Sequence, residues 1–232
     1  GIEAADSFVY AISDGNGGAA TATVEVGICG AKNTVETIAQ SLPSTAQIDI
    51  DVFSDNTGLT GSTVSLDFDG DGIVENDPDS TADGIYTGYC IELPDSVNQE
   101  TTQSLIYSSY DDLAAEPRLT GDLDNSDPAS LQQLNYLLNL DNLGDFSYQQ
   151  VQNTVWALLT DEFDFTFLDL VDPSGESRAL YEDVIANGSG YVPHSGDTFG
   201  VILEPVTEGG DDNGQLYVVA VPFDALAQDC PC

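Results

Sequence analysis

The order of hydrophobic patterns along the chain predicts an α+β domain, with strands first, a helical stretch in the middle and strands again. Short runs rich in β-branched and aromatic residues mark the strands: Ile48 to Phe53, Gly61 to Phe68, Gly84 to Leu93, Asp197 to Glu204 and Gln215 to Val221. Between the third and fourth of these, apolar residues switch to helical spacing. Composition supports a packed core: 41% of the 232 residues are hydrophobic, so disorder is not expected despite the charge.

Residues 1–28 read as a terminal β-hairpin and residues 29–232 as the main domain. Ser7 to Ile12 alternates large and small residues, Asp14-Gly15-Asn16-Gly17-Gly18 supplies the positive-φ positions of a tight turn, and Thr21 to Val26 alternates again. In the helical stretch, Asp127-Pro128 is an N-cap followed by Pro at the first helical position. Leu131, Leu134, Leu137 and Leu138 then share one face. Ser147 and Gln150 have capping-box spacing ahead of Val151, Val155, Trp156 and Leu159. Arg178 to Ala186 is a weaker third helix. The last two strands join through Glu208 to Gly214, a loop rich in turn residues.

Charge excludes several functions. There are 41 Asp and Glu against 3 Lys and Arg, a formal net charge of -38. Phosphate contacts need basic side chains, so nucleic acid is not an expected partner. An anionic membrane surface would repel the chain, and no apolar run reaches the roughly 20 residues of a spanning helix. No charged-then-apolar leader is present, so the sequence reads as a mature or excised piece. Such acidity suits a secreted or cell-surface protein in salty, divalent-rich water. It also leaves Lys32 as the sole side-chain amine.

Four cysteines are present: Cys29, Cys90, Cys230 and Cys232. In an oxidising compartment two disulfides are expected, with three possible connectivities. Cys29 and the Cys230-Pro231-Cys232 pair bracket the main domain, so a bridge from Cys29 to Cys230 or Cys232 would staple its ends together. Cys90 is left with the spare terminal cysteine or a different fate.

Two motifs suggest that fate. Cys90 lies in Gly88-Tyr89-Cys90-Ile91-Glu92-Leu93, and Val151-Gln152-Asn153-Thr154-Val155-Trp156-Ala157-Leu158 follows some sixty residues later, with Asn135-Tyr136-Leu137-Leu138-Asn139 between. In this order the motifs resemble those of the thioester domains of Gram-positive surface adhesins: aromatic-Cys-aliphatic, then apolar-Gln-x-x-apolar-Trp-x-apolar. The likeness spans most of residues 29–232. It implies a β-sandwich or barrel-like domain with an inserted helical segment, in which the Cys90 sulfur and Gln152 carbonyl condense to an internal thioester. The hairpin, Asp6 to Val26, resembles the closing strands of cadherin-like repeats in large bacterial adhesins, implying an extracellular, multi-domain stalk.

A thioester needs a thiolate and a carboxamide held at bonding distance, each on a rigid element. Trp156, one helical turn after Gln152, would share its face and shield the bond from water. The implied partner is a host or surface protein or glycan bearing a nucleophile, most simply a lysine amine. One turnover per molecule makes this covalent binding rather than enzymatic turnover.

A second signal is Asp67-Phe68-Asp69-Gly70-Asp71-Gly72-Ile73. Three carboxylates alternate, a Gly permits a sharp turn, and the Ile73 carbonyl falls where calcium loops use a backbone oxygen. The twelfth position is Pro78 rather than a bidentate Glu, so this is no EF-hand; Glu75, Asp77 or Asp79 would complete the shell. A structural Ca2+ ion is expected here. Asp122 to Asp127 reads instead as a turn and helix cap, and Asn187-Gly188-Ser189 as a turn. Two other functions fit the residues. One is a non-covalent, calcium-stabilised adhesin module binding glycan or protein; the other is a hydrolase or transferase with Cys90 as nucleophile, His194 as base and Asp197 orienting it.

Overall fold

A computed structural model describes residues 3–13, 15–29, 34–55, 58–74, 82–91, 102–111, 113, 128–160, 165–206 and 215–226. Six antiparallel strands close into a barrel: β3 (Thr45–Asp55), β4 (Gly58–Asp67), β5 (Gly84–Cys90), β6 (Thr102–Ser108), β7 (Thr198–Pro205) and β8 (Tyr217–Pro222). Their order around the barrel is β3-β4-β5-β8-β7-β6, and β6 pairs back onto β3. Closure leaves this sheet without a continuous free edge. The expected α+β class is therefore realised as a barrel, not as a sandwich.

The pleat sorts side chains into two cores. Ile48, Ile50, Val64, Leu66, Val201, Leu203, Val219 and Val221 pack inside the barrel, with Val35 and Ile38 of α1 (Val35–Ser41) in the same cluster. The residues between them on β5, β7 and β8, such as Tyr89, Ile202 and Val218, point outward into a second core. That core is covered by α2 (Pro128–Leu138), α3 (Tyr148–Leu159) and α5 (Glu176–Asn187). The helical segment is thus inserted between β6 and β7 and packs on one side of the barrel. Two short helices, α4 (Phe165–Val171) and α6 (Phe223–Leu226), place Leu168, Phe223 and Leu226 in the barrel cluster.

The N-terminal hairpin pairs β1 (Glu3–Ser13) with β2 (Ala19–Cys29) in a separate two-stranded sheet, Phe8 opposite Val24. Gly15 and Gly17 adopt φ of 74° and 97° in its turn, as the glycine run predicts. β2 continues through Cys29, so the strand crosses the boundary that the sequence places after residue 28.

The expected helices are present, with the Ser147–Gln150 capping box fully formed and Pro128 opening α2. β6, α1, α4 and α6 were not anticipated. In β6 the inward residues are Ser104, Ile106 and Ser108, so the buried face is largely hydroxyl and hides the usual alternation. The Asp122 to Asp127 run, the Glu208 to Gly214 loop, Lys32, Cys230 and Cys232 lie outside the described residues.

Candidate functional site: a cysteine and a carboxamide at an open strand edge

Among the described residues, β5 reaches Cys90 with a strand neighbour on only one side. Its pairing with β4 runs from Leu66 opposite Gly84 to Ser62 opposite Gly88 and stops there. On the other side β8 continues, with Cys90 opposite Tyr217 and the Ile91 N–H donating to the Leu216 carbonyl at 2.9 Å. Successive backbone groups alternate sides, so the Cys90 N–H and C=O face the edge that β4 has left. Buried and unpaired, each would cost about 1–3 kcal/mol.

Gln152 fills that edge. The Cys90 N–H donates to Gln152 Oε1 at 2.8 Å, and Gln152 Nε2 donates to the Cys90 carbonyl at 2.6 Å. The backbone donor must meet oxygen and the backbone acceptor must meet nitrogen, so the amide can face only one way. Gln152 is 0% and Cys90 3% exposed. Cys90 carries a thiol and is not half of a disulfide. Two residues 62 positions apart are thereby brought into direct contact in the interior.

Helix α3 positions the carboxamide. Tyr148, Gln152 and Trp156 follow each other at intervals of four and form one stripe. The Tyr148 ring stacks on Tyr89, centroids 5.2 Å apart and planes at 15°. Its hydroxyl lies 2.8 Å from the Gly88 carbonyl and 3.1 Å from Gln152 Oε1. Ser62 Oγ donates to the same Gly88 carbonyl at 2.5 Å and lies 3.1 Å from the Tyr148 hydroxyl. Trp156 is buried in the same cluster as Cys90 and Tyr217. The Tyr217 hydroxyl hydrogen-bonds the Cys90 thiol and also reaches Gln215. Burial pushes the Tyr148 and Tyr217 hydroxyls far above the ordinary phenol range, with the neighbouring Cys90 adding to the shift, so both stay protonated donors.

Tyr148, Ser62 and Tyr217 were not singled out from sequence. The i−4 spacing of Tyr148 to Gln152 was a usable signal; Ser62 and Tyr217 are supplied by strand pairing and carry none. Gly88 had a hidden role as well. A Cβ there would sit 2.6 Å from Val64 Cγ2, so only glycine fits two residues before the cysteine.

Three residues of the second predicted site lie close together. Asp67, Asp69 and Asp71 each offer a carboxylate oxygen, all within 4.8 Å of one another. Asp67 is buried and accepts from the Gly70 and Gly72 N–H groups at 2.5 and 2.9 Å; Asp69 accepts from the Asp71 N–H and Asp71 from the Ile73 N–H. Gly70 and Gly72 take φ of 78° and 88°, the turn that the glycines predict. Asp83, which sequence reasoning passed over, accepts from the Phe68 N–H at 2.9 Å and ties the loop to the start of β5. Glu75, Asp77 and Asp79 lie outside the described residues, as does the side chain of Cys29.

His194 is placed differently from Cys90. Its side chain is 78% exposed on the turn before β7, with Nδ1 3.3 Å from Asp197 Oδ2, whereas the cysteine lies in the core. The Asp197 carboxylate also accepts from the Tyr191 hydroxyl and the His194 N–H, as a loop-ordering residue does.

No protein-family model, curated protein or solved structure compared with the chain matches it. Among the described residues no helix is long and apolar enough to cross a membrane.

Proposed function

We propose that the chain is a module of a bacterial surface adhesin that binds its target covalently through an internal thioester between Cys90 and Gln152. The observation that carries this reading is the two-point contact of the Gln152 carboxamide with Cys90, buried and in one orientation. Condensation joins Cys90 Sγ to Gln152 Cδ, breaks the Cδ–Nε2 bond and releases ammonia, the thiol proton leaving with the nitrogen. A target amine then attacks Cδ, the C–S bond breaks, and the sulfur takes up a proton as the amide forms. Burial keeps water from the bond in the interval. The implied setting is extracellular, at the cell surface and within a larger adhesin, with the target a protein or glycan that bears a nucleophile. The Asp67 to Ile73 loop is proposed as a structural Ca2+ site, with Glu75 beyond it as a further ligand.

Intact-mass measurement tests the bond. The wild-type chain is expected one ammonia lighter than its sequence and to add methylamine. Cys90→Ala and Gln152→Ala are both expected to retain that ammonia. A wild-type chain at full mass, unreactive toward methylamine, rules the thioester out.

A further inference from the structure

Resting on the thioester reading, we infer that the Cys90 N–H and the Tyr148 hydroxyl form an oxyanion hole for the Gln152 carbonyl, with Ser62 as the residue that positions Tyr148. Both steps of the chemistry pass through a tetrahedral carbon at Gln152 Cδ, and in each the negative charge collects on the oxygen that is now Oε1. Two donors lie within reach of that atom, the Cys90 N–H at 2.8 Å and the Tyr148 hydroxyl at 3.1 Å. These are the distances at which preorganised donors stabilise a developing oxyanion.

The hydroxyl arrangement makes the stabilisation selective for the reacting state. Tyr148 has one proton and two acceptors in reach, the Gly88 carbonyl at 2.8 Å and Gln152 Oε1 at 3.1 Å. In the resting amide the nearer Gly88 carbonyl competes for it. As charge builds on Oε1, the proton turns to that oxygen, and the Gly88 carbonyl keeps the hydroxyl of Ser62 at 2.5 Å. The contact is therefore stronger in the transition state than in the ground state, which is the condition for acceleration. The Tyr89 stack holds the Tyr148 ring in place while its proton swings. The opposite end of the amide is held too: Nε2, the leaving nitrogen, donates to the Cys90 carbonyl.

The atoms balance without a further reactant. In condensation the S–H proton and the Cδ–Nε2 bond are exchanged for an S–Cδ bond and ammonia. In capture the amine N–H proton and the S–Cδ bond are exchanged for a thiol and a substituted amide. The Tyr148 proton is shared with the oxyanion and returns, so the tyrosine is regenerated.

The test is the rate of methylamine addition to the full chain, followed by intact mass, for wild type, Tyr148→Phe and Ser62→Ala. Tyr148→Phe keeps the ring stack and is expected to slow addition about 100-fold or more, the usual effect of losing one oxyanion donor. If that variant melts with the wild type yet never loses its ammonia, condensation itself has failed, which also supports the assignment. Ser62→Ala retains Tyr148 and is expected to slow addition by a smaller factor with little change in melting. It decides the matter should Tyr148→Phe fail to fold. Wild-type addition rates in both variants overturn the oxyanion hole and leave the thioester standing. A wild type at full mass instead overturns the thioester reading on which the inference rests.

Discussion

Two carboxamides dock helices onto this barrel in the same manner, and only one of them meets a thiol. Asn139, just past α2, accepts from the Thr198 N–H at 2.7 Å and donates to the Thr198 carbonyl at 2.9 Å, as Gln152 does with Cys90. Each amide oxygen takes a second donor at 3.1 Å, the Thr198 hydroxyl in one case and Tyr148 in the other. Each docking lies where a neighbouring strand has stopped, since β6 pairs with β7 only as far as Val201. Asn135, four residues before Asn139, accepts from the Gly200 N–H in the same way. Four helical residues rise about 6 Å and two strand residues about 6.8 Å, so one face of α2 tracks the open edge of β7. A side-chain amide in this setting replaces a missing strand. What separates the two pairs is the strand residue: Thr198 offers a weak hydroxyl nucleophile, Cys90 a thiol, and Gln152 is fully buried whereas Asn139 is only half-buried. Both amides dock a helix on a strand edge, and under the proposed function only Gln152 also reacts.

The largest expected effect follows from that difference in burial. Gln152→Ala leaves two backbone groups unpaired in the interior and opens a cavity, for a loss of about 4 kcal/mol. Asn139→Ala, where water can replace the amide, is expected to cost about 1 kcal/mol. Urea midpoints of the two variants measure this, and equal losses would break the distinction. Mass spectra sharpen it: Asn139→Ala is expected to keep the ammonia deficit.

Next in size is a contrast between assembled and local order. The Asp67 loop organises itself through carboxylates accepting from backbone N–H groups within five residues. With calcium at about 100 times its dissociation constant, the wild type is expected to gain about 2.7 kcal/mol over a chelated sample. Melting curves of Asp71→Ala should show no such gain; an equal gain in that variant would remove calcium from the loop.

Each docked strand also carries a glycine two residues from the docked position. At Gly88 a Cβ would meet Val64 at 2.6 Å, while at Gly200 the nearest atom, Ser109 Oγ, is 3.2 Å away. Gly88→Ala is accordingly expected to cost about 2 kcal/mol and Gly200→Ala clearly less, read from thermal unfolding. The smallest effect is at the helix cap. Ser147→Ala removes half of the capping box and should lower stability by about 1 kcal/mol, with methylamine capture retained because Gln152 lies more than a turn away. Loss of capture in that variant would mean that the cap positions the amide.

Much of the frame was legible in the chain itself because its signals are local. The capping box at Ser147, Pro128 at the start of α2, the glycine turns at Gly15 and Gly70 and five of the six barrel strands depend on neighbours a few residues apart. β6 escaped notice because its inward face is serine at two of three positions. α4 did too: Phe165-Thr166-Phe167-Leu168 alternates in the manner of a strand, and only tertiary packing of Leu168 favours the helix.

The local pieces are written in the chain: five of the six barrel strands, the three longer helices, the alternating carboxylates at Asp67, and a cysteine motif followed by a glutamine motif. The sequence also set the acidity, 41 Asp and Glu against 3 Lys and Arg. Closure of the barrel is what leaves Cys90 beyond the end of the pairing with β4 and lets the Gln152 amide complete that edge. The tertiary structure alone brings Ser62 and Tyr148 to the same carbonyl. The reason is physical. Helix caps and turns are satisfied by bonds between near neighbours, whereas a vacant strand edge exists only once the barrel has closed, and its partner is whichever buried side chain can replace two backbone hydrogen bonds.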